Sequence, residues 1–148
     1  MNKKSFSLIE VLVFVSILSV FFVAALTVSV YYLRMTKSQQ YKIIATHLAE
    51  EAVEWLKSEK ESDWLQFVSY DTSTSYQGTK YCLENLDWSI ANSCSGYTLG
   101  TPAIFKRELL IKNIGNPVSQ VEADITVSWL ENNGENKVSL KTVLTVWE

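Results

Sequence analysis

The first 77 residues contain neither glycine nor proline, although the 148-residue chain holds five glycines and two prolines. No strong breaker therefore interrupts the N-terminal half. Histidine occurs once, at His47, beside charged neighbours. A single imidazole serves no Ser/His/Asp or Cys/His arrangement, and a solvated surface residue accounts for it better than a ligand does. The chain has no phosphate-cradling glycine loop and no His/Cys cluster at metal spacing. No enzymatic activity, cofactor or metal site is expected. Basic residues are few, 13 against 16 acidic, for a net charge of −3. Nucleic acid demands concentrated Lys and Arg, so it is a poor default partner.

What is present is concentrated at the start. Lys3-Lys4-Ser5-Phe6-Ser7-Leu8-Ile9-Glu10 leads into an uncharged apolar stretch from Val11 to Leu33. Crossing a bilayer core takes about 20 helical residues, so the stretch is long enough to span. Glu10 is the oddity. A carboxylate costs roughly 2.5–3.5 kcal/mol or more deep in lipid, so it marks a function by default. A plain anchor has no use for it, whereas a helix that later leaves the membrane for a protein assembly does.

In order, spacing and position, this terminus resembles the type IV pilin and pseudopilin family. That family has a short basic leader, a small residue, Phe, three mostly apolar residues, Glu, then about twenty apolar residues. Met1 to Ser5 correspond to the leader and Phe6 to the first mature residue, and Glu10 falls at the fifth mature position. Ser5 stands where the family usually has Gly; a small side chain still suits a peptidase pocket shaped for Gly. The resemblance implies cleavage between Ser5 and Phe6 by a prepilin peptidase and N-methylation of Phe6. It further implies pairing of Glu10 with the Phe6 ammonium of a neighbouring pilin subunit. Extraction from the membrane would need an inner-membrane assembly platform and its ATPase. Many major pilins carry Gly and Pro in the span; this stretch has neither, which speaks against local melting and for a low-copy, minor subunit.

Other terminal readings stand beside this one. A secretory signal has an apolar region of only 7–15 residues and a small-x-small cut. Ala24-Ala25 offers a weak candidate, but the run is too long and Glu10 sits too early. A signal anchor fits the length, and Lys3 and Lys4 place its N-terminus in the cytoplasm, yet it leaves Glu10 unexplained.

Past Arg34 the helical period continues. Tyr41, Ile44, Leu48, Ala52 and Trp55 fall at i, i+3/i+4 spacing, widened by Ala45, Ala49, Val53 and Leu56. The helix is expected to fade near Lys60 to Asp63, about 55 residues from Phe6 and roughly 80 Å long. The segment from Leu65 to Pro102 looks irregular, with short strands near Lys80–Leu83 and Asp87–Ala91. Beyond it, Ala103–Ile114 makes a plausible strand. Val121, Ala123, Ile125, Val127 and Trp129 alternate with polar residues. Asn132-Asn133-Gly134 supplies a hairpin turn, and Val138, Leu140, Thr142, Leu144 and Val146 return.

The expected fold is α+β, a long helix packed on a small antiparallel β-sheet head. Its parts are a leader (1–5), a transmembrane and filament-core helix (6–33), an amphipathic continuation (34–62), a connecting region (63–102) and the sheet (103–148). Losing Lys3 and Lys4 with the leader leaves eleven basic against sixteen acidic side chains, a net −5. Cys82 and Cys94 fall on the outer side of the membrane, where oxidation favours a disulfide over two buried thiols.

The remaining charged residues have bland explanations. Glu50, Glu51, Glu54, Glu59 and Glu61 look like a solvated helix face. Asp71, Asp87, Asp124 and Asn132/Asn133 lack calcium-ligand spacing. Lys106, Arg107, Lys112, Lys137 and Lys141, if gathered on one face, would touch DNA as competence pilins do; solvated strand edges account for them more simply. Three functions stay open: a pilus subunit serving adhesion, motility or DNA uptake, a pseudopilin of type II secretion, and an anchored extracytoplasmic domain unrelated to filaments.

Overall fold

The computed structural model describes residues 7–73, 77–131 and 134–146. Helix α1 runs Leu8–Ser62, followed by the short α2, Trp64–Ser69. Strands β1 (Thr79–Cys82), β2 (Phe105–Ile114), β3 (Gln120–Glu131) and β4 (Gly134–Thr145) form one antiparallel sheet in sequence order. The chain divides into two compact units, Met1–Gln40 and Tyr41–Glu148.

In the first unit every residue from Ser7 to Met35 is exposed. This helix is long and apolar enough to cross a membrane. Its few polar side chains turn back on their own turn. Ser16 donates to the Val13 carbonyl, Ser19 to Ser16, Thr27 to Val23 and Ser29 to Ala25. Each hydroxyl is thus satisfied without water, as the lipid interior requires.

The second unit is a head with one core. Ala45, Ala49, Ala52 and Leu56 are fully buried at i, i+4, i+7 and i+11 against the sheet. The strands supply Leu109, Ile111, Val121, Ala123, Ile125 and Val127, all 0% exposed. Burying each larger aliphatic side chain contributes about 1.5–3 kcal/mol. The register follows from the alternation, with Leu109 opposite Ile125 and Ile125 opposite Leu140. A one-residue slip would turn the whole row outward. Glu131 pairs with Gly134, the geometry of a two-residue hairpin loop; Asn132 and Asn133 themselves lie outside the described residues.

Several expectations need correction. The helix stripe is shifted from the expected line: Ala52 of that line is fully buried together with Ala45, Ala49 and Leu56, expected only to widen it, whereas Ile44 is 43% exposed and Val53 is half-buried. Chain 65–102 is less irregular than its composition suggests, because α2 starts at Trp64. Asp63 caps it, its carboxylate accepting from the Gln66 amide at 3.0 Å. The expected strand at Asp87–Ala91 is only a single bridge, Tyr81 to Ala91. Asp87 explains this by accepting from the Ser89 amide, a local turn that competes with a ladder.

Candidate functional site

The N-terminal candidate begins where α1 begins. The Ser7 carbonyl accepts from the amides of Glu10 at 3.0 Å and Val11 at 3.3 Å, so Glu10 occupies the first turn. A carboxylate there suits the positive pole of the helix. Ser7 and Glu10 also have the spacing of a capping box. Even so, the exposed Glu10 carboxylate makes no hydrogen bond or ion pair with a described residue. Ser5 and Phe6, the expected processing and methylation positions, lie outside the described residues.

In the head, Cys82 and Cys94 are joined by a disulfide. The bond pins the 84–93 segment beside β1, where Cys82 also donates its amide to the Ile90 carbonyl and Asn92 donates to Lys80. Cys94 donates its amide to the Glu108 carboxylate at 2.9 Å.

Lys106, Lys112, Lys137 and Lys141 share the outer face of the sheet, and of the five basic residues only Arg107 turns to the other. Arg107 is 2% exposed and points to the helix side, while Lys106 pairs with Glu135 at 2.8 Å and Lys141 sits 3.3 Å from Asp124. Alternation along β2 separates Arg107 from Lys106, and Glu108, Glu122, Asp124 and Glu135 lie among the four lysines, so that face is mixed in charge rather than a basic patch. The glutamates also split. Glu51 reaches Arg107, and Glu59 accepts from the Trp88 indole at 2.8 Å, so two of the five face inward.

The carboxylates weighed as calcium ligands are engaged by protein groups. Asp71 accepts from the Ser73 amide and hydroxyl, the Thr79 hydroxyl and the Asn113 amide. Partial burial pushes its pKa up, but these hydrogen bonds reverse that and hold it below the ordinary carboxylate value. Asp87 is taken up by Ser89, while Asp124 meets Lys141 through Oδ2 and its buried Oδ1 has no hydrogen-bond partner among the described residues. Among the described residues no group of three or more His, Cys, Asp or Glu could hold a metal ion.

Sequence reasoning missed an aromatic cluster under α1. Trp88 stacks on Tyr70 with ring centroids 4.0 Å apart, and meets Trp55 at 4.8 Å and Tyr81 at 5.1 Å. The only signal was an excess of Trp and Tyr in polar surroundings. These rings are packing, tying the irregular segment to the helix.

Against known families, the prokaryotic N-terminal methylation motif matches residues 1–26. No curated protein and no solved structure matches the chain. The motif implies processing by a prepilin peptidase and assembly with other pilins, and its family is structural rather than enzymatic. Together with the exposed apolar helix it fits a membrane-anchored precursor. This terminus and this α+β head support a likeness to type IV pilin-like proteins.

Proposed function

We propose that the chain is a structural subunit of a type IV surface filament, of the minor class, serving adhesion, motility or DNA uptake. Before assembly it spans the inner membrane once, with its N-terminus cytoplasmic and its head extracytoplasmic. A prepilin peptidase cuts between Ser5 and Phe6, and the new Phe6 amine is methylated. The divisions at 1–5, 6–33, 34–62, 63–102 and 103–148 then serve as leader, filament core, helix continuation, connection and sheet.

The observation that carries this reading is a carboxylate, Glu10, with no partner among the described residues, in the first turn of an exposed apolar helix within the methylation motif. In low dielectric an unpaired charge is expensive, and attraction to an ammonium is strong and oriented. Glu10 of an incoming subunit thus seeks the Phe6 ammonium of a neighbour and sets the axial register. Apolar helix packing supplies adhesion, and the assembly platform with its ATPase supplies the work of extraction. The absence of Gly and Pro from the span favours a low-copy position over a bulk one.

The test is incorporation of Glu10→Ala into sheared filaments, scored beside its processing. Cleaved, membrane-inserted protein absent from filaments supports the register role; normal incorporation refutes it. A pseudopilin of type II secretion is the second reading, since it shares the same motif; loss of secretion without loss of surface filaments on deleting the gene would favour it.

A further inference from the structure

One face of the apolar helix ends in a cation at a depth set by the helix itself. Val23, Leu26, Thr27, Val30, Tyr31 and Arg34 line a single open groove. They follow one another at i, i+3, i+4, i+7, i+8 and i+11, the spacing of one helix face. At 1.5 Å per residue the stripe is about 16 Å long, close to half of a hydrocarbon core of about 30 Å. That is the length of one leaflet. Thr27 turns its hydroxyl into the Val23 carbonyl at 2.6 Å, which removes the only polar group from the apolar part.

The outer end is polar and positive. Tyr31 and Tyr32 are 70% and 68% exposed, as expected of rings at a membrane boundary. Arg34 closes the stripe, and no acidic residue occurs between Glu10 and Glu50 while Arg34, Lys37 and Lys42 do. A guanidinium presents a planar fork of donors that matches phosphate. The neighbouring Tyr31 hydroxyl adds a second donor type at the same level.

We propose that this stripe seats an anionic phospholipid of the outer leaflet of the inner membrane. One acyl chain lies along Val23, Leu26, Thr27 and Val30, and the headgroup phosphate meets Arg34 and Tyr31. Charge complementarity favours lipid over a neighbouring copy of the helix, because the chain's next carboxylates, from Glu50 onward, lie well beyond the apolar span. The bound lipid would hold the precursor at fixed depth until assembly withdraws it. The inference rests on the membrane orientation given under the proposed function.

The experiment uses the full-length, uncut chain in nanodiscs of phosphatidylcholine with one-fifth phosphatidylglycerol. Trace photoactivatable acyl-chain analogues of either lipid are crosslinked and mapped by mass spectrometry. The phosphatidylglycerol analogue should label residues 23–34 roughly fivefold more than the phosphatidylcholine analogue, the preference expected of one basic side chain at an anionic surface. Arg34→Gln should bring the two close to equal, Arg34→Lys should keep part of the preference, and Lys57→Gln should keep all of it. Equal labelling of the wild type overturns the proposal, as does an unchanged preference in Arg34→Gln. So does chain-to-chain crosslinking that displaces lipid from the stripe. No peptidase or filament enters this assay, so its failure leaves the filament reading intact, and failure of processing in cells leaves the lipid result intact.

Discussion

The guanidinium of Arg107 on β2 lies 2.9 Å from the carboxylate of Glu51 on α1. The same side chain donates to two carbonyls, Leu48 on the helix at 2.8 Å and Leu83 after β1 at 3.2 Å. One buried cation thus joins helix, sheet and loop. The pair is asymmetric, because the Arg107 side chain is 3% exposed and that of Glu51 is 50% exposed. Removing the carboxylate leaves a buried charge without its counter-ion, whereas removing the arginine leaves Glu51 in water.

Glu51→Ala should therefore cost about 2–3 kcal/mol, far more than a half-exposed glutamate ordinarily does. Glu54→Ala, on the solvated side of the same helix, should stay within about 0.5 kcal/mol. Urea unfolding of the full chain in detergent, followed by tryptophan fluorescence, measures both. Equal effects of the two substitutions would mean that the ion pair contributes nothing special.

Asp71 predicts an acid-side loss of stability. Its folded pKa lies below the ordinary value of 3.8, because hydrogen bonds from Ser73, Asn113 and Thr79 outweigh the upward push of burial. A depressed carboxylate stabilises fully above the unfolded pKa and loses that contribution as pH falls through the folded one. The urea midpoint should accordingly fall as pH drops from about 4 toward 2. Asp71→Asn should be less stable at neutral pH and should flatten this part of the curve. An unchanged acid slope in the variant would remove Asp71 from the explanation.

The Cys82–Cys94 disulfide spans a sequence separation of 12. Closing a loop of that size stabilises by about 3 kcal/mol in the chain-entropy model. The double variant Cys82→Ser/Cys94→Ser should lose about that much and should free the 84–93 segment to rapid amide exchange. A loss under about 1 kcal/mol would show that the loop is held by the Trp88 cluster instead.

How much of this was legible depended on periodicity. Val121 to Trp129 announced β3, and Val138 to Leu144 announced β4, because a half-buried antiparallel strand writes its two faces as alternating letters. The helix end near Ser62 was visible from the loss of period. Arg107 was not legible. It sits at an inward position of an alternating strand, between Phe105 and Leu109, yet a cation there looks like a strand-edge residue until the helix carbonyl and Glu51 are known to lie opposite. α2 escaped because six residues carry too little pattern, and its cap, Asp63, was lost in the run of charges ending α1. The methylation terminus was fully legible, since order and spacing of residues define it; the lipid stripe was not, since its six members are ordinary apolar letters until placed on one face.

Glu10→Gln separates charge from size at the register position. It should leave cleavage and insertion intact and lower filament incorporation at least tenfold, the loss expected when about 1.4 kcal/mol or more of ion pairing is removed. Restored incorporation in this variant would assign the role to packing alone.

The central claim is that the chain is cut ahead of Phe6 so that a new ammonium and Glu10 can meet across subunits. Intact-mass and terminal-peptide mass spectrometry of the protein from its native membrane tests it most directly. N-methylated Phe6 is the expected terminus; a chain retaining Met1, or one beginning near Ala25, would contradict it.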